Sequence, residues 1–148
     1  GLSQANLYSA RSIGEQAFTN CTGLTEVSLG SAETCVAEIG KRAFNGCTSL
    51  KTVAFTNVKK IVDYAFEKAA LESADLSSVE SIGAYAFAAT GSGLRRVFCL
   101  SETPPVLGDY SVFDDSSFDL EIFVPAASLE AYKSAEFWSS MAHKIKAL

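Results

Sequence analysis

One phrase of the sequence returns four times, and a chain that repeats itself at a short period folds as a series of similar units. The phrase joins an isoleucine to an alanine–phenylalanine pair and reads SIGEQAF, EIGKRAF, KIVDYAF and SIGAYAF, starting at residues 12, 38, 60 and 81. Its isoleucines are 26, 22 and 21 residues apart, and a weaker fifth copy at 107–113 follows after 25 more. A catalytic loop is needed once, so a phrase written this often indicates architecture.

Each copy leads into a second signature, in which apolar residues follow the pattern L-x-x-V-x-L. It starts at Leu24, Leu50, Leu71 and Leu94, and the fifth copy ends in the segment 120–125. Apolar and polar residues alternate at its end, as in a strand with one buried face. A period of about 20–29 residues with such a strand is the mark of a leucine-rich repeat. Because no unit can bury its apolar side alone, we expect stacked units with ladders of Ile, Ala, Phe and Leu along one axis.

A glycine follows the repeated isoleucine in three copies, at Gly14, Gly40 and Gly83. The chain must bend sharply there, and glycine tolerates the backbone angles of a tight turn. Val62 occupies the same place in the third copy. We therefore expect that this position does not require a positive φ in every copy.

The two ends of the chain differ. Residues 2–18 overlay residues 71–87 at an offset of 69, so the chain begins in the middle of a repeat, and no polar capping unit precedes it. We therefore expect these residues to be the C-terminal part of a longer protein. At the other end, Leu129, Tyr132, Ala135 and Trp138 recur every third residue. This spacing predicts an amphipathic helix that begins at Ser128 and covers the last repeat, with Ile145 adding a buried contact.

Length and charge limit the domain organisation and the partners. The 148 residues are 48% hydrophobic, which indicates one folded domain, 1–148, with repeat units at 2–125 and a C-terminal cap at 126–148. A net charge of −5 disfavours nucleic acids and anionic membrane surfaces as partners. Apolar runs such as 97–100 are far too short to cross a bilayer, so we expect no membrane insertion by this segment.

The cysteines, the histidine and one acidic loop are the candidates for site chemistry. Cys21 and Cys47 share one repeat position, where a disulfide between stacked units is sterically conceivable, but buried free thiols are the favoured interpretation. Cys35 and Cys99 lack zinc-site spacing. His143 lies in the tail, where we expect a solvated or capping residue instead of a catalytic base. The loop 114–119 carries three aspartates that could bind calcium, although a solvated loop is favoured. No metal or cofactor is expected.

The predicted strands also define a candidate binding surface. Side chains between the core positions point outward, because strand side chains alternate between the two faces. They form two columns, Gln4, Glu26, Thr52, Ser73, Arg96 and Glu121 in the first, and Asn6, Ser28, Ala54, Asp75, Phe98 and Phe123 in the second. Neighbouring exposed aromatics with an arginine are typical of an interface hot spot. The alternative is that the cap folds over Phe98 and Phe123.

The unit I-G-x-x-A-F-x-x-C-x-x-L-x-x-V stands most fully at 13–27 and 39–53, and it resembles the BspA-like leucine-rich repeat of bacterial surface antigens. The end, TPPVLG at 103–108 followed by 122–138, resembles the end often seen in that family. The chain departs from the pattern at Val62, at Ala69 and Thr90 in place of cysteine, and in an insertion around 31–37.

The resemblance implies an α/β solenoid that is right-handed, with short parallel strands on a concave face, short helical or irregular turns opposite, and a C-terminal capping helix. It also implies a secreted or surface-anchored protein that binds a protein or glycan ligand, and it brings no catalytic residues. A binding module, expected to be monomeric, is the leading hypothesis. A structural spacer is the alternative. A hydrolase is remote because no paired carboxylates, nucleophile elbow or phosphate loop is present.

Overall fold

Each copy of the repeat forms one coil with tight turns, and every coil except the second carries two short strands. The structure is a computed structural model that describes residues 1–31 and 36–148, so Cys35 and most of the predicted insertion lie outside it. In chain order the elements are β1 (Gln4–Asn6), β2 (Ser12–Ile13), β3 (Glu26–Ser28), β4 (Glu38–Ile39), β5 (Lys60–Ile61), β6 (Ser73–Asp75), β7 (Ser81–Ile82), β8 (Arg96–Phe98), β9 (Val106–Leu107), β10 (Glu121–Val124), a 3-10 turn (Ala126–Ser128), α1 (Leu129–Ser134), a 3-10 segment (Trp138–Lys144) and β11 (Ile145–Ala147).

The strands form parallel ladders along two sides of the coils. The predicted L-x-x-V-x-L strands pair as β1–β3 and as β6–β8–β10–β11. The isoleucine phrase forms a further five-stranded sheet, β2–β4–β5–β7–β9, which the sequence analysis did not predict. Its strands have only two residues each, too few to show alternation. The register aligns Ile13, Ile39, Ile61, Ile82 and Leu107, which confirms the predicted isoleucine ladder.

The repeated phenylalanines form one continuous stack through the core. Successive ring centroids of Phe18, Phe44, Phe66, Phe87 and Phe113 are 5.1, 5.1, 5.4 and 5.6 Å apart, and the rings are nearly parallel. These distances are close to the spacing of about 4.8 Å between paired strands. The rings therefore stack at the distance that the backbone hydrogen bonds impose, as the repeat predicts.

The third side of each coil consists of turns that are also hydrogen-bonded from coil to coil. In the first coil the backbone N–H groups of Gln16, Phe18 and Asn20 donate to carbonyl oxygens of the second coil at 2.7–2.8 Å. Two positions in these turns have positive φ, between 52° and 72°: Gln16, Arg42, Tyr64 and Tyr85 in one set, and Asn20, Gly46, Lys68, Ala89 and Asp115 in the other. The left-handed conformation directs alternate N–H groups of the turn towards the next coil.

The repeated glycines lie outside these two sets, and their role differs from the one predicted. An added Cβ at Gly40 would lie 2.6 Å from the Ile13 carbonyl oxygen, and one at Gly83 only 2.4 Å from the Asp63 nitrogen. Both distances are shorter than atomic contact allows. Gly40 and Gly83 are thus favoured by the close approach of the preceding coil, and not by turn angles.

The predicted strand at Thr52 is wrong. Residues 51–55 form no strand in the structure, so the sheet is interrupted between β3 and β6. The core position occupied by Leu29 or Leu76 in neighbouring coils holds Phe55 here, whose ring meets Phe66 edge to face at 5.3 Å. The larger side chain requires more room between the backbone and the phenylalanine stack, which explains the lost pairing. Exposed and buried side chains still alternate along residues 52–55, from the exposed Thr52 to the buried Phe55.

The cap covers the last coil as expected, but it is not one helix. The helix α1 ends at Ser134, Ala135 is extended, and Phe137, with a φ of 63°, turns the chain into the second 3-10 segment. The predicted helix through Trp138 is therefore wrong. Ser128 is at the N-cap, yet its side chain makes no capping hydrogen bond. Tyr132, Trp138 and Ile145 are buried, which confirms the predicted core contacts.

Side chains of the cap replace the donors that a sixth coil would supply. The carbonyl oxygens of Arg11, Ala37, Lys59 and Glu80 each accept a backbone N–H from the next coil, and the equivalent oxygen of Pro105 accepts the indole N–H of Trp138 at 2.8 Å. The Tyr132 hydroxyl lies 3.1 Å from the Cys99 oxygen and 2.9 Å from the Ser101 oxygen. Strand β11 extends the sheet, with Ile145 opposite Ile122.

A glycine pair tests the close approach. We expect Gly83→Ala to lower the free energy of unfolding by at least about 2 kcal/mol, because its Cβ must displace backbone of the third coil. Gly14→Ala is the matched control: the same repeat position has nothing within 4 Å of an added Cβ. Urea unfolding followed by circular dichroism measures both. Equal stability of the two variants would contradict this explanation.

A tyrosine pair tests the cap. Tyr132→Phe removes a hydroxyl that serves two carbonyl oxygens, so we expect a loss of about 1–3 kcal/mol in the free energy of unfolding. Tyr110→Phe removes a hydroxyl from a side chain that is largely exposed, and it should change the stability by less than about 0.5 kcal/mol. Thermal and urea unfolding compare the two. A Tyr132→Phe protein as stable as its control would show that the hydroxyl does not anchor the cap.

Candidate interaction surface

The C-terminal sheet brings six of the predicted surface residues together. The register places Arg96 between Ser73 and Glu121, and Phe98 between Asp75 and Phe123. The buried residue of each strand lies on the opposite side, so these side chains share one surface. We name the outward side chains of β6, β8, β10 and β11 the sheet face.

Two phenylalanines form the apolar centre of the sheet face. The ring centroids of Phe98 and Phe123 are 5.3 Å apart, with an angle of 20° between the ring planes. Both side chains are half-buried. The aromatic contacts of the cap do not involve these two rings, since Trp138 packs against Phe113 and Tyr132. The rings therefore cover each other's inner faces, and they keep part of their surface open to solvent.

One residue of the sheet face was missed in the sequence analysis. Strand β11 pairs with β10 and places Lys146 beside Phe123. The second column thus reads Asp75, Phe98, Phe123 and Lys146, with an acidic side chain at one end of the aromatic pair and a basic one at the other. The alternation of Ile145, Lys146 and Ala147 is a strand signal, but three residues after a predicted helix are too few to show it.

Two predicted residues lie away from this group. Glu26 belongs to the separate β1–β3 sheet, where its Oε2 accepts a hydrogen bond from the Gln4 side-chain amide at 3.0 Å. Thr52 is exposed in the interruption between the two sheets. The early part of the surface is therefore small and polar, and it does not continue the sheet face.

The comparisons agree with this coil-by-coil geometry. The BspA type leucine rich repeat region matches residues 2–118 in six copies. The chain belongs to this family. A leucine-rich repeat protein from Bacteroides ovatus, known from its crystal structure, has a similar fold, with a TM-score of 0.56 and 22% sequence identity. The match covers 85% of this chain and 44% of that one, so the chain spans less than half of its structural neighbour. No curated protein matches the chain.

The cysteines of this BspA-type repeat domain are free thiols wherever the structure describes them. Cys47 is fully buried, and its thiol donates to the Phe18 carbonyl oxygen at 3.2 Å. Burial, with a smaller effect of the nearby Cys21, raises the pKa of the Cys47 thiol to about 11. Burial also raises the pKa of Cys99. Cys21, on the first coil, is only half-buried.

The other candidates for site chemistry do not form a metal centre in the described part of the chain. Within residues 1–31 and 36–148, no group of three or more His, Cys, Asp or Glu side chains could hold a metal ion. His143 is exposed near the end of the second 3-10 segment. Asp114 has a raised pKa because of partial burial and of repulsion by Asp115 and Asp109. Among the described residues, no helix combines the length and the apolar character needed to span a membrane.

Thiol labelling tests the burial of the cysteines. In a Cys35→Ser background we expect one thiol, Cys21, to react rapidly with a maleimide at pH 8 in the native protein. Cys47 should react slowly, because it is buried and a pKa of about 11 leaves about a thousandth of it as thiolate at that pH.

Unfolding without reductant should then expose all three thiols, and Cys21→Ser should abolish the rapid phase. Two rapidly reacting thiols in the native protein, or fewer than three after unfolding, would contradict the free, buried state of Cys47 and Cys99.

Proposed function

We propose that this leucine-rich repeat domain is a binding module of a cell-surface or secreted protein, and that it holds a protein partner on its sheet face. The observation that carries the proposal is the Phe98–Phe123 pair, half-buried and stacked at 5.3 Å between Asp75 and Lys146. An aromatic centre with a charged rim is the composition of a protein-binding hot spot. The module acts without a cofactor, without catalysis and as a monomer.

The rigidity of the coils favours binding. Every side chain of the sheet face is attached to a parallel strand that is hydrogen-bonded to its neighbour. A surface that is ordered before binding loses little conformational entropy when a partner arrives, so more of the contact energy appears as affinity. A repeat fold supplies this ordered surface without needing a catalytic cavity.

The packing of the two rings favours a protein over a glycan. A sugar ring stacks on the flat face of an aromatic side chain, whereas Phe98 and Phe123 cover each other's inner faces. Stacking thus covers one face of each ring, and ring edges, which are electropositive, suit the carbonyl oxygens and side chains of a protein. Arg96 and Glu121, neighbours in the first column, add both signs of charge to the rim.

The family supports the location and the absence of chemistry. BspA-type repeats are typical of bacterial surface proteins, and leucine-rich repeat folds of this type are generally non-enzymatic. A protein that is displayed at a surface meets host or neighbouring proteins first. This context fits a module whose most distinctive surface is apolar at its centre and charged at its edge.

Binding to defined ligands tests the proposal. The purified domain is assayed by biolayer interferometry against a panel of extracellular matrix proteins and on a glycan array. We expect saturable binding to a protein, and we expect Phe98→Ala/Phe123→Ala to weaken it by at least about tenfold, as for a hot-spot pair.

The control is Asn6→Ala/Ser28→Ala, which truncates the same column on the β1–β3 sheet and should leave the affinity unchanged. Because the phenylalanines are half-buried, thermal unfolding must show that both double variants are folded. Arg96→Glu provides a variant that keeps the rings, and it should also weaken binding. Binding that both double variants retain would exclude the sheet face, and a folded wild type that binds neither proteins nor glycans would support a spacer.

A further inference from the structure

An open pocket of about 510 Å³ lies between the loop of the fifth coil and the second 3-10 segment, and no side chain of the sheet face lines it. Tyr110 and Phe118 line it, and both rings are unusually open to solvent, 65% and 94% exposed. Phe113 and Met141, both largely buried, contribute to its apolar lining. Asp114 and Asp115 stand at its edge. The pocket thus combines accessible aromatic rings with carboxylates.

The loop that carries these side chains is held in place. The Ser116 hydroxyl donates to the Phe87 carbonyl oxygen at 3.2 Å and lies 3.2 Å from the Thr90 hydroxyl. The Lys144 ammonium donates to the Phe118 carbonyl oxygen, also at 3.2 Å. These contacts fix the loop against the fourth coil and the cap. Phe118 is therefore exposed on an ordered backbone.

Among the described residues, no ion pair joins the carboxylates beside the rings to a cation. The three ion pairs found among the described residues join Lys51 to Glu72, Lys59 to Glu80 and Lys60 to Glu38, and none involves the fifth coil. Asp114 lies close enough to Asp115 and Asp109 for their repulsion, together with burial, to raise its pKa. A cation bound here would relieve that repulsion.

We propose that this pocket binds a cationic side chain of a partner peptide, preferably the guanidinium group of an arginine. A cation is attracted to the face of an aromatic ring, and a planar guanidinium can stack on a ring while it donates to carboxylates. The chain itself shows the first of these contacts, because the Lys144 ammonium lies 6.0 Å from the Phe118 ring centroid. Tyr110, Asp114 and Asp115 make no ion pair or cation–π contact with another described residue, so they remain available for a second cation in the pocket that His143 and Lys144 also line.

A titration with defined peptides tests the site. The ¹⁵N-labelled domain is titrated at neutral pH and about 0.15 M ionic strength, which screens non-specific attraction, with the acetylated, amidated peptide Gly-Gly-Arg-Gly-Gly. We expect saturable amide shifts confined to residues 109–119 and 140–144. The same peptide with citrulline, a neutral analogue of arginine, should bind more weakly by about two- to fivefold or more.

Matched variants separate this pocket from general acidity and from the sheet face. Tyr110→Ala/Phe118→Ala and Asp114→Asn/Asp115→Asn should each weaken the arginine peptide by a similar factor. Glu15→Gln/Glu102→Gln changes the net charge equally at two other exposed carboxylates and should have no effect. Phe98→Ala/Phe123→Ala should also bind normally, so the result is independent of the proposed function.

Three outcomes would overturn the proposal: shifts absent from the pocket or scattered over the acidic surface, equal binding of the citrulline peptide, or equal weakening by the Glu15/Glu102 control. The amide spectra of the variants show directly whether they are folded.

Discussion

The distance of about 5 Å between successive coils constrains every other feature of this molecule. Backbone hydrogen bonds set it through two sets of strand ladders, one of them interrupted at residues 51–55, and through a set of turns. The phenylalanine stack has nearly the same spacing, 5.1–5.6 Å, so the core and the backbone agree. An added Cβ at Gly40 or Gly83 would collide with the backbone of the preceding coil. Side chains that point away from the core are free of this constraint.

The last coil of the stack has no following coil to pair with, and side chains of the C-terminal cap take the place of that coil. A further coil would provide a backbone N–H for the Pro105 oxygen and a ring for the end of the phenylalanine stack. Trp138 supplies both, through its indole N–H and its contact with Phe113 at 6.5 Å. The indole carries its N–H donor on the ring itself. One residue therefore provides both the donor and the ring, which come from two different residues in each coil of the repeat. Strand β11 then completes the sheet and brings Lys146 to the sheet face.

Features that recur in every coil can be predicted from the repeated sequence, whereas features that occur in one coil only cannot. The isoleucine and phenylalanine ladders follow from the repeat alone, because identical units that stack in register align identical residues. The predicted strand at Thr52 is absent because Phe55 changes the packing of that one coil. The predicted cap helix is wrong because the three-residue spacing that reaches Trp138 continues across a chain reversal at Phe137. The positive φ of Phe137 cannot be predicted from a pattern of hydrophobicity. The left-handed turn positions are hidden for a related reason: residues as different as Gln16 and Tyr64 occupy them.

The same constraint explains why the candidate surfaces gather at the C-terminal end. In the early coils the outward columns carry small polar side chains, and the neighbouring strand positions Glu38 and Lys60 pair with each other. The last two coils instead present aromatic rings outward, Phe98 and Phe123 on the sheet and Tyr110 and Phe118 on the loop. Exposed rings stay ordered only on a backbone that is held independently of them, and the cap provides it by closing the sheet with β11 and by binding the loop through Lys144. The element that ends the stack thus also holds the backbone beneath both groups of outward-facing aromatic rings.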